Sequence, residues 1–357
     1  MKPIQNEPDL YDEPPAEYVD RWAAETSHYI ATTYRTDTSA DELEPVVWHE
    51  LYAGVDHEDA VVDGVILRGR WTAWAAAAKA GKSTLALYVA VCLACGVDPL
   101  TGRPIDPVPV LYLDAEMGRV DLLDRLRDDL HVEAGQLDHL RYVDLVPMLN
   151  TPAGAGQVLD FVDRNGVGLV VIDGLNGVVI GPEKDDDTWR PLYSLTIAEL
   201  KRRAVAVLTL DNLGKDKSLG PRGSSVKLDK ADAVVLLERT DNGVRLKATH
   251  RRTAAYPHVV DLAATGIDND DEPILYRYTE TAWPSGTAEK ARDLDAAGVP
   301  AEASNRQARA MLREAGSGVG RSDVLAAAIR YRRTTGYRST ASGNTSGNTL
   351  RVIGGEQ

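Results

Sequence analysis

Four short apolar runs limit the folds open to this chain. They are RWTAWAA (70–76), VPVLYLDAE (108–116), LVVIDG (169–174) and VAVLTLDN (205–212). Each run is nearly continuous in apolar residues rather than alternating, as expected of a strand covered on both faces. Helical stretches lie between them: KSTLALYVAVCLAC (82–95), GRVDLLDRLRDDL (118–130), AGQVLDFVDRNG (155–166) and TWRPLYSLTIAELKRRA (188–204). Strand alternating with helix predicts an α/β fold built on a mostly parallel sheet. Further on, ADAVVLLERTDNGVRLKATHRR (231–252) reads as two strands joined by an Asp-Asn-Gly turn. That pair predicts an antiparallel edge added to the parallel core.

Charge divides the chain. Residues 1–60 hold three basic and fifteen acidic residues, whereas residues 284–357 hold eleven basic and seven acidic ones. An acidic head and a basic tail on one chain imply different tasks for its two ends. The expected organisation is an acidic, partly disordered region over 1–60, with a helix in AEYVDRWAAETSHYIATTY, and an α/β domain over 61–280. A helical region over 285–335 and a disordered tail over 336–357, rich in Ser, Thr, Gly and Asn, complete it. The overall charge of −14 argues against a protein that coats nucleic acid generally. The first residues are acidic and Pro-rich rather than basic and then apolar, and the sequence has no apolar run long enough to span a bilayer. The expectation is therefore a cytoplasmic protein with no membrane partner. Cys92 and Cys95 form a C-x-x-C, but no second pair completes a zinc site, and their apolar surroundings predict two small core residues.

The stretch WAAAAKAGKSTLAL (74–87) carries the first chemistry. A phosphate-binding loop has the pattern G-x-x-x-x-G-K-[ST]. Gly81, Lys82 and Ser83 match its end, while Ala76 stands where the first glycine belongs. Ala fits there if φ stays negative. An Ala-rich helix over 75–93 is the alternative, but it would place Gly81 in a helix interior at a cost of about 1 kcal/mol relative to Ala. In the loop reading, Ala78, Lys79, Ala80, Gly81, Lys82, Ser83 and Thr84 bind the phosphates of ATP, with Lys82 reaching the outer ones and Ser83 on Mg²⁺. Asp173 ends an apolar strand, where a carboxylate can serve the same Mg²⁺. Asp114 and Glu116 end another.

With GKST, LVVIDG and LYLDAEMG in this order, the chain resembles RecA-like P-loop ATPases, in particular the DnaB- and RepA-type hexameric helicases of phages, plasmids and integrative elements. The resemblance covers residues 61–280. It implies a RecA-like core, Mg²⁺-ATP hydrolysis and Glu116 as the catalytic base, a helix-N-terminal charge being the plainer reading of that glutamate. It places Asp211 and Asn212 where the family has a polar sensor, often His or Gln. It implies that the span 214–230, with Lys215, Lys217 and Arg222, faces DNA, although an ordinary solvated loop would look the same. The family's late Lys-x-Arg pair, which reaches a neighbouring subunit's γ-phosphate, falls on Thr249 to Arg252. Arg251 is the first choice and Arg252 the second.

Past residue 285, AEKARDLDAAG and ASNRQARAMLREAG suggest a helix-turn-helix, with Ser304 or Asn305 as a cap and Gly298 and Gly316 as stops. Arg306, Arg309 and Arg313 fall on one face of the second helix, suited to a phosphate backbone. The expected function is that of an ATP-hydrolysing motor acting on DNA, single-stranded by expectation, and assembled as a homo-oligomeric ring such as a hexamer. Two alternatives stand beside it. One is an ATP-binding, DNA-binding regulator with little hydrolysis; the other is a P-loop kinase for small molecules.

Overall fold

A computed structural model describes residues 48, 60–213, 229–267, 271–279, 283–301 and 303–333. The chain divides into units 1–48 and 49–357, and the architecture below belongs to the second. The expected N-terminal helix, the acidic head before residue 60, the polar tail from residue 334 and the span 214–228 lie outside the described residues.

Among the described residues, nine strands form one sheet, ordered β11-β10-β9-β8-β3-β7-β6-β4-β5. The four apolar runs become β3 (Trp71–Ala76), β4 (Val110–Asp114), β6 (Leu169–Asp173) and β7 (Ala206–Asn212). With β5 (Leu140–Val143) and β8 (Ala233–Thr240) they pair in parallel. β9 (Gly243–Arg251), β10 (Val259–Thr265) and β11 (Leu275–Tyr278) extend the sheet by antiparallel pairing. The Asp-Asn-Gly turn does join β8 to β9, but β8 belongs to the parallel core beside β3. The antiparallel extension starts one strand later than the sequence pattern suggests. A separate hairpin, β1 (Ala60–Val62) with β2 (Ile66–Leu67), precedes the sheet.

Alternation along each strand sorts side chains into two cores. Trp74, Tyr112, Val171 and Leu208 face helix α1 (Lys82–Ala94). Leu111, Ile172 and Val207 face α3 (Pro152–Asn165) and α4, a continuous run made of Asp186–Pro191, Leu192–Ile197 and Ala198–Arg202. Covering both faces is what permits apolar residues at successive strand positions. Each fully buried Leu in these layers contributes about 1.5–3 kcal/mol. Helix α1 is apolar all round because it is buried all round: Leu85 to Ala94 are inaccessible, Cys92 among them. Beyond its first residues Lys82 to Thr84, its one large polar tip, the Tyr88 hydroxyl, donates to Pro99 O at 2.7 Å.

Helix α2 (Arg119–Asp124) follows β4 and widens into a π turn over Arg125–Asp129. The C-terminal region holds three helices, α5 (Thr287–Ala296), α6 (Asn305–Glu314) and α7 (Ser322–Arg333), around a core of their own that includes Leu294, Leu312 and Leu325. Ser304 caps α6 through a reciprocal bond with Gln307. Gly298 and Gly316 adopt positive φ just past α5 and α6.

Candidate nucleotide site

Strand order assembles the site. Along β3-β7-β6-β4 the C-terminal tips stand side by side: Ala76 pairs with Asn212, and Asp173 pairs with Asp114. Residues spread over 40 positions and more thus share one rim, where ligands of open parallel sheets bind.

The loop leaves β3 after Ala76 and enters α1 at Lys82. Ala76 is buried and extended and is not among the residues with positive φ, so its methyl group creates no backbone strain. The turn is made instead by Lys79 (φ 62°) and Gly81 (φ 90°). At Gly81 a side chain would meet no atom within 4 Å, so conformation rather than space calls for glycine there. Lys79 is a lysine in a left-handed conformation, which is uncommon for a residue with a Cβ. Lys82 is buried, and its ammonium donates to Asn212 Oδ1 at 3.2 Å. The residue expected at the sensor place therefore touches the loop lysine directly. Neighbouring Asp211 turns back to accept from the Asn212 backbone N–H at 2.8 Å.

Asp173 is 1% exposed. Its Oδ2 accepts from the Tyr112 hydroxyl at 3.0 Å, whereas Oδ1 is buried with no hydrogen-bond partner. Burial raises its pKa; the Ser83 hydroxyl pulls it down, Asp114 pushes it up, and Lys82 again lowers it. A buried carboxylate oxygen left open beside a hydroxyl is a fitting place for a hard cation or its water. Ser83 and Asp173, the pair expected to serve Mg²⁺, are thus brought together.

Asp114 does something else. Its Oδ1 accepts from the backbone N–H groups of Glu116 and Met117, each at 2.8 Å, and its Oδ2 from the Tyr142 hydroxyl at 2.7 Å. It is a brace that shapes the turn carrying Glu116. The Ala115 N–H completes the turn by donating to Asp173 O at 3.0 Å. The Glu116 side chain lies over Gly174, where an added Cβ would come within 2.6 Å of its Cγ, and Gly174 itself has φ 80°. Glu116 is therefore held, exposed, next to the strand tip bearing Asp173.

Sequence reasoning missed four contributors here. Gly174 makes room for Glu116, and its signal is the glycine directly after the tip aspartate. Tyr112 and Tyr142 stack at 5.6 Å and hydrogen-bond the two carboxylates. Burial raises both phenol pKa values, so they remain donors. Arg125 reaches back from the π turn to Thr84 Oγ1 at 3.4 Å and sets a guanidinium beside the loop. Nothing short of the fold marks Tyr142 or Arg125.

Other expected residues stand elsewhere. Arg251 pairs with Ala233, which pairs with Thr72 near the start of β3, so it lies at the sheet end opposite the loop. Its guanidinium is bound to Tyr256 O at 2.6 Å and to the His258 ring. Arg252 binds Asp229 O. Neither is assembled with the site of its own chain. Lys215, Lys217 and Arg222 lie outside the described residues. Arg306, Arg309 and Arg313 do share one side of α6, with Arg309 donating to Ser322 Oγ at 2.7 Å.

A nine-stranded, mostly parallel sheet with a phosphate-binding loop after β3 and carboxylates on adjacent tips defines a nucleotide-binding P-loop ATPase. The chain belongs to the AAA domain family, whose model matches residues 36–218, just over half of its length. A comparison with curated proteins gives no match. No helix among the described residues is long and apolar enough to cross a membrane.

Proposed function

We propose that this ATPase hydrolyses ATP with Mg²⁺ to work on DNA, as a helicase-like motor in which neighbouring copies complete one another's sites. The observation that carries the reading is the rim itself: Lys82 against Asn212, an open Asp173 oxygen beside Ser83, and Glu116 seated over Gly174. Lys82 and the loop amides would hold the phosphates. Ser83 and Asp173 would hold Mg²⁺, which when bound neutralises charge on the outer phosphates. Glu116 would orient the attacking water and draw its proton, a role suited to an exposed carboxylate fixed by its backbone. Asn212, which binds Lys82 in this structure, would exchange that contact for one to phosphate or water.

Arg251 supports assembly by its position. It stands about four strand residues from the level of Ala76, on the order of 13 Å before the loop is added, and so would serve a neighbour's site rather than its own. The basic C-terminal region supports action on DNA. The test is steady-state ATP turnover with and without single-stranded DNA, alongside the mass of the protein with ATP and DNA by light scattering. Stimulated turnover and a ring-sized mass are expected. Low turnover indifferent to DNA, from a protein that nonetheless binds duplex, would favour the regulator.

A further inference from the structure

Glu116 sits in the turn 114–119, which joins β4 to α2. Its carboxylate is exposed, so its aim depends on the backbone beneath it. That backbone is held from two sides. On the inner side is β6, through the Ala115 N–H on Asp173 O at 3.0 Å and through Gly174 under the Glu116 side chain. On the outer side is β5. The backbone ladder between β4 and β5 ends at Leu113 and Val143. Beyond that point side chains take over from the ladder.

Tyr142 of β5 donates its hydroxyl to Asp114 Oδ2 at 2.7 Å. The other oxygen of Asp114 accepts the N–H groups of Glu116 and Met117, each at 2.8 Å. The phenol thus fixes the carboxylate that fixes the backbone of Glu116. Asp144, just past the end of β5, grips the far end of the turn: Arg119 Nη2 donates to its Oδ1 at 3.0 Å, and Arg119 Nε to its Oδ2. Residues two apart on an extended chain point to one side, and here both point at the turn. The two ties are unequal. The Arg119 side chain is 77% exposed, and an ion pair so open to water contributes little. The Tyr142 bond is short, ends on a charged acceptor and serves a carboxylate that is 1% exposed. Without that hydroxyl, Asp114 has little water to turn to. The Tyr142 ring is itself held, stacked on Tyr112 at 5.6 Å.

We propose that β5 clamps the turn that carries the base, with Tyr142 as a positioning residue acting on Glu116 through Asp114 and with Asp144 as a weaker second tie. The inference rests on the reading of Glu116 as the base given above and names what aims it. A general base must stand within hydrogen-bond reach of its water, and a misplacement of about 1 Å can cost on the order of 10²-fold in rate.

The test uses the full chain. Tyr142→Phe keeps the ring and its stacking and removes only the hydroxyl. In the nucleotide-free protein, hydrogen exchange at the Glu116 and Met117 amides is expected to quicken about tenfold. In turnover, kcat is expected to fall about tenfold while affinity for a fluorescent ATP analogue stays within about twofold. Asp144→Ala should move both readouts the same way by only about twofold. If Tyr142→Phe melts much lower than wild type, Asp144→Ala carries the test, because its site is open to solvent. In a Glu116→Gln background, Tyr142→Phe should add no further loss to single-turnover hydrolysis, since the clamp then has no base to aim. Unchanged amide exchange would overturn the clamp. A full tenfold loss persisting in the Glu116→Gln background would show that Tyr142 acts by another route, and equal losses of affinity and rate would make it part of the pocket. Glu116→Gln protein that turns over like wild type would refute the base itself, and the exchange data would then show separately whether β5 holds the turn.

Discussion

Asp173 and Asp232 are both 1% exposed, both carboxylates, and both at an end of the same sheet. They differ in their partners. Asp232, just before β8, accepts from the Trp71 N–H at 2.8 Å and from Lys201 Nζ at 2.6 Å on one oxygen, and from Arg70 Nη1 at 3.3 Å on the other. Asp173, at the tip of β6, has the Tyr112 hydroxyl on one oxygen and, on the other, no hydrogen-bond partner, only the Ser83 hydroxyl nearby. A buried charge with both oxygens answered is part of the framework. One left half-answered costs stability, and such groups concentrate where a ligand completes them. The same contrast extends to the two ends. The rim at the strand C-termini exposes Glu116 above a buried, open Asp173 oxygen, while the opposite end is lined with arginines.

Substitutions can break this comparison, beginning with the largest expected effect. Glu116→Gln should leave nucleotide affinity unchanged and reduce turnover by about 10²–10⁴, because the amide keeps the shape and loses the base. Equal losses of affinity and rate would make Glu116 a wall of the pocket. Lys82→Ala should weaken nucleotide binding on the order of a hundredfold, the loss of a charge-assisted contact of about 3 kcal/mol. Titration with a fluorescent ATP analogue reads it, and unchanged affinity would remove AKAGKST from the site.

The two aspartates should then respond with opposite signs. Asp232→Asn is expected to lower stability by about 2–3 kcal/mol, toward the small end for a broken buried pair because Arg70 is partly exposed. Asp173→Asn is expected to raise the stability of the nucleotide-free protein by about 1 kcal/mol while increasing its Mg²⁺ requirement for turnover. The pH dependence follows from the raised pKa of Asp173. The penalty for its charge is absent below the ordinary value of 3.8, where folded and unfolded forms are both protonated. It grows as pH rises through the folded value. The advantage of the Asn variant should therefore appear as pH rises and vanish in acid. Melting curves of both variants across pH decide the matter: two losses would mean that Asp173 is framework too.

The smallest effect concerns Arg125. Its contact with Thr84 is long at 3.4 Å, so Arg125→Ala should weaken ATP binding only three- to tenfold, about 1 kcal/mol. No change would leave the π turn of α2 without a part in the site.

Much of this is legible in the sequence alone. Trp71–Ala76, Val110–Asp114, Leu169–Asp173 and Ala206–Asn212 could be read as covered strands because burial on both faces demands unbroken apolar runs, a local property. GKS after such a strand reads as a phosphate loop for an equally local reason, since a Gly in the left-handed region must open the helix. Strand β5 escaped notice because LRYV is an edge strand with partly exposed residues and lacks that signature. Strand β8 looked like an edge because turn chemistry reveals its pairing with β9 and nothing about its pairing with β3. What only the tertiary structure decided is adjacency. The order β3-β7-β6-β4 sets Asn212 on Lys82 and Asp114 beside Asp173 across long stretches of chain. The same packing leaves one buried aspartate open and surrounds the other with cations. It also buries α7 and sets Tyr142 and Asp144 against the turn that carries Glu116. Sequence carries each residue's local preferences; which distant partner satisfies a buried charge, and which charge is left unsatisfied, is settled when the sheet closes and water is excluded.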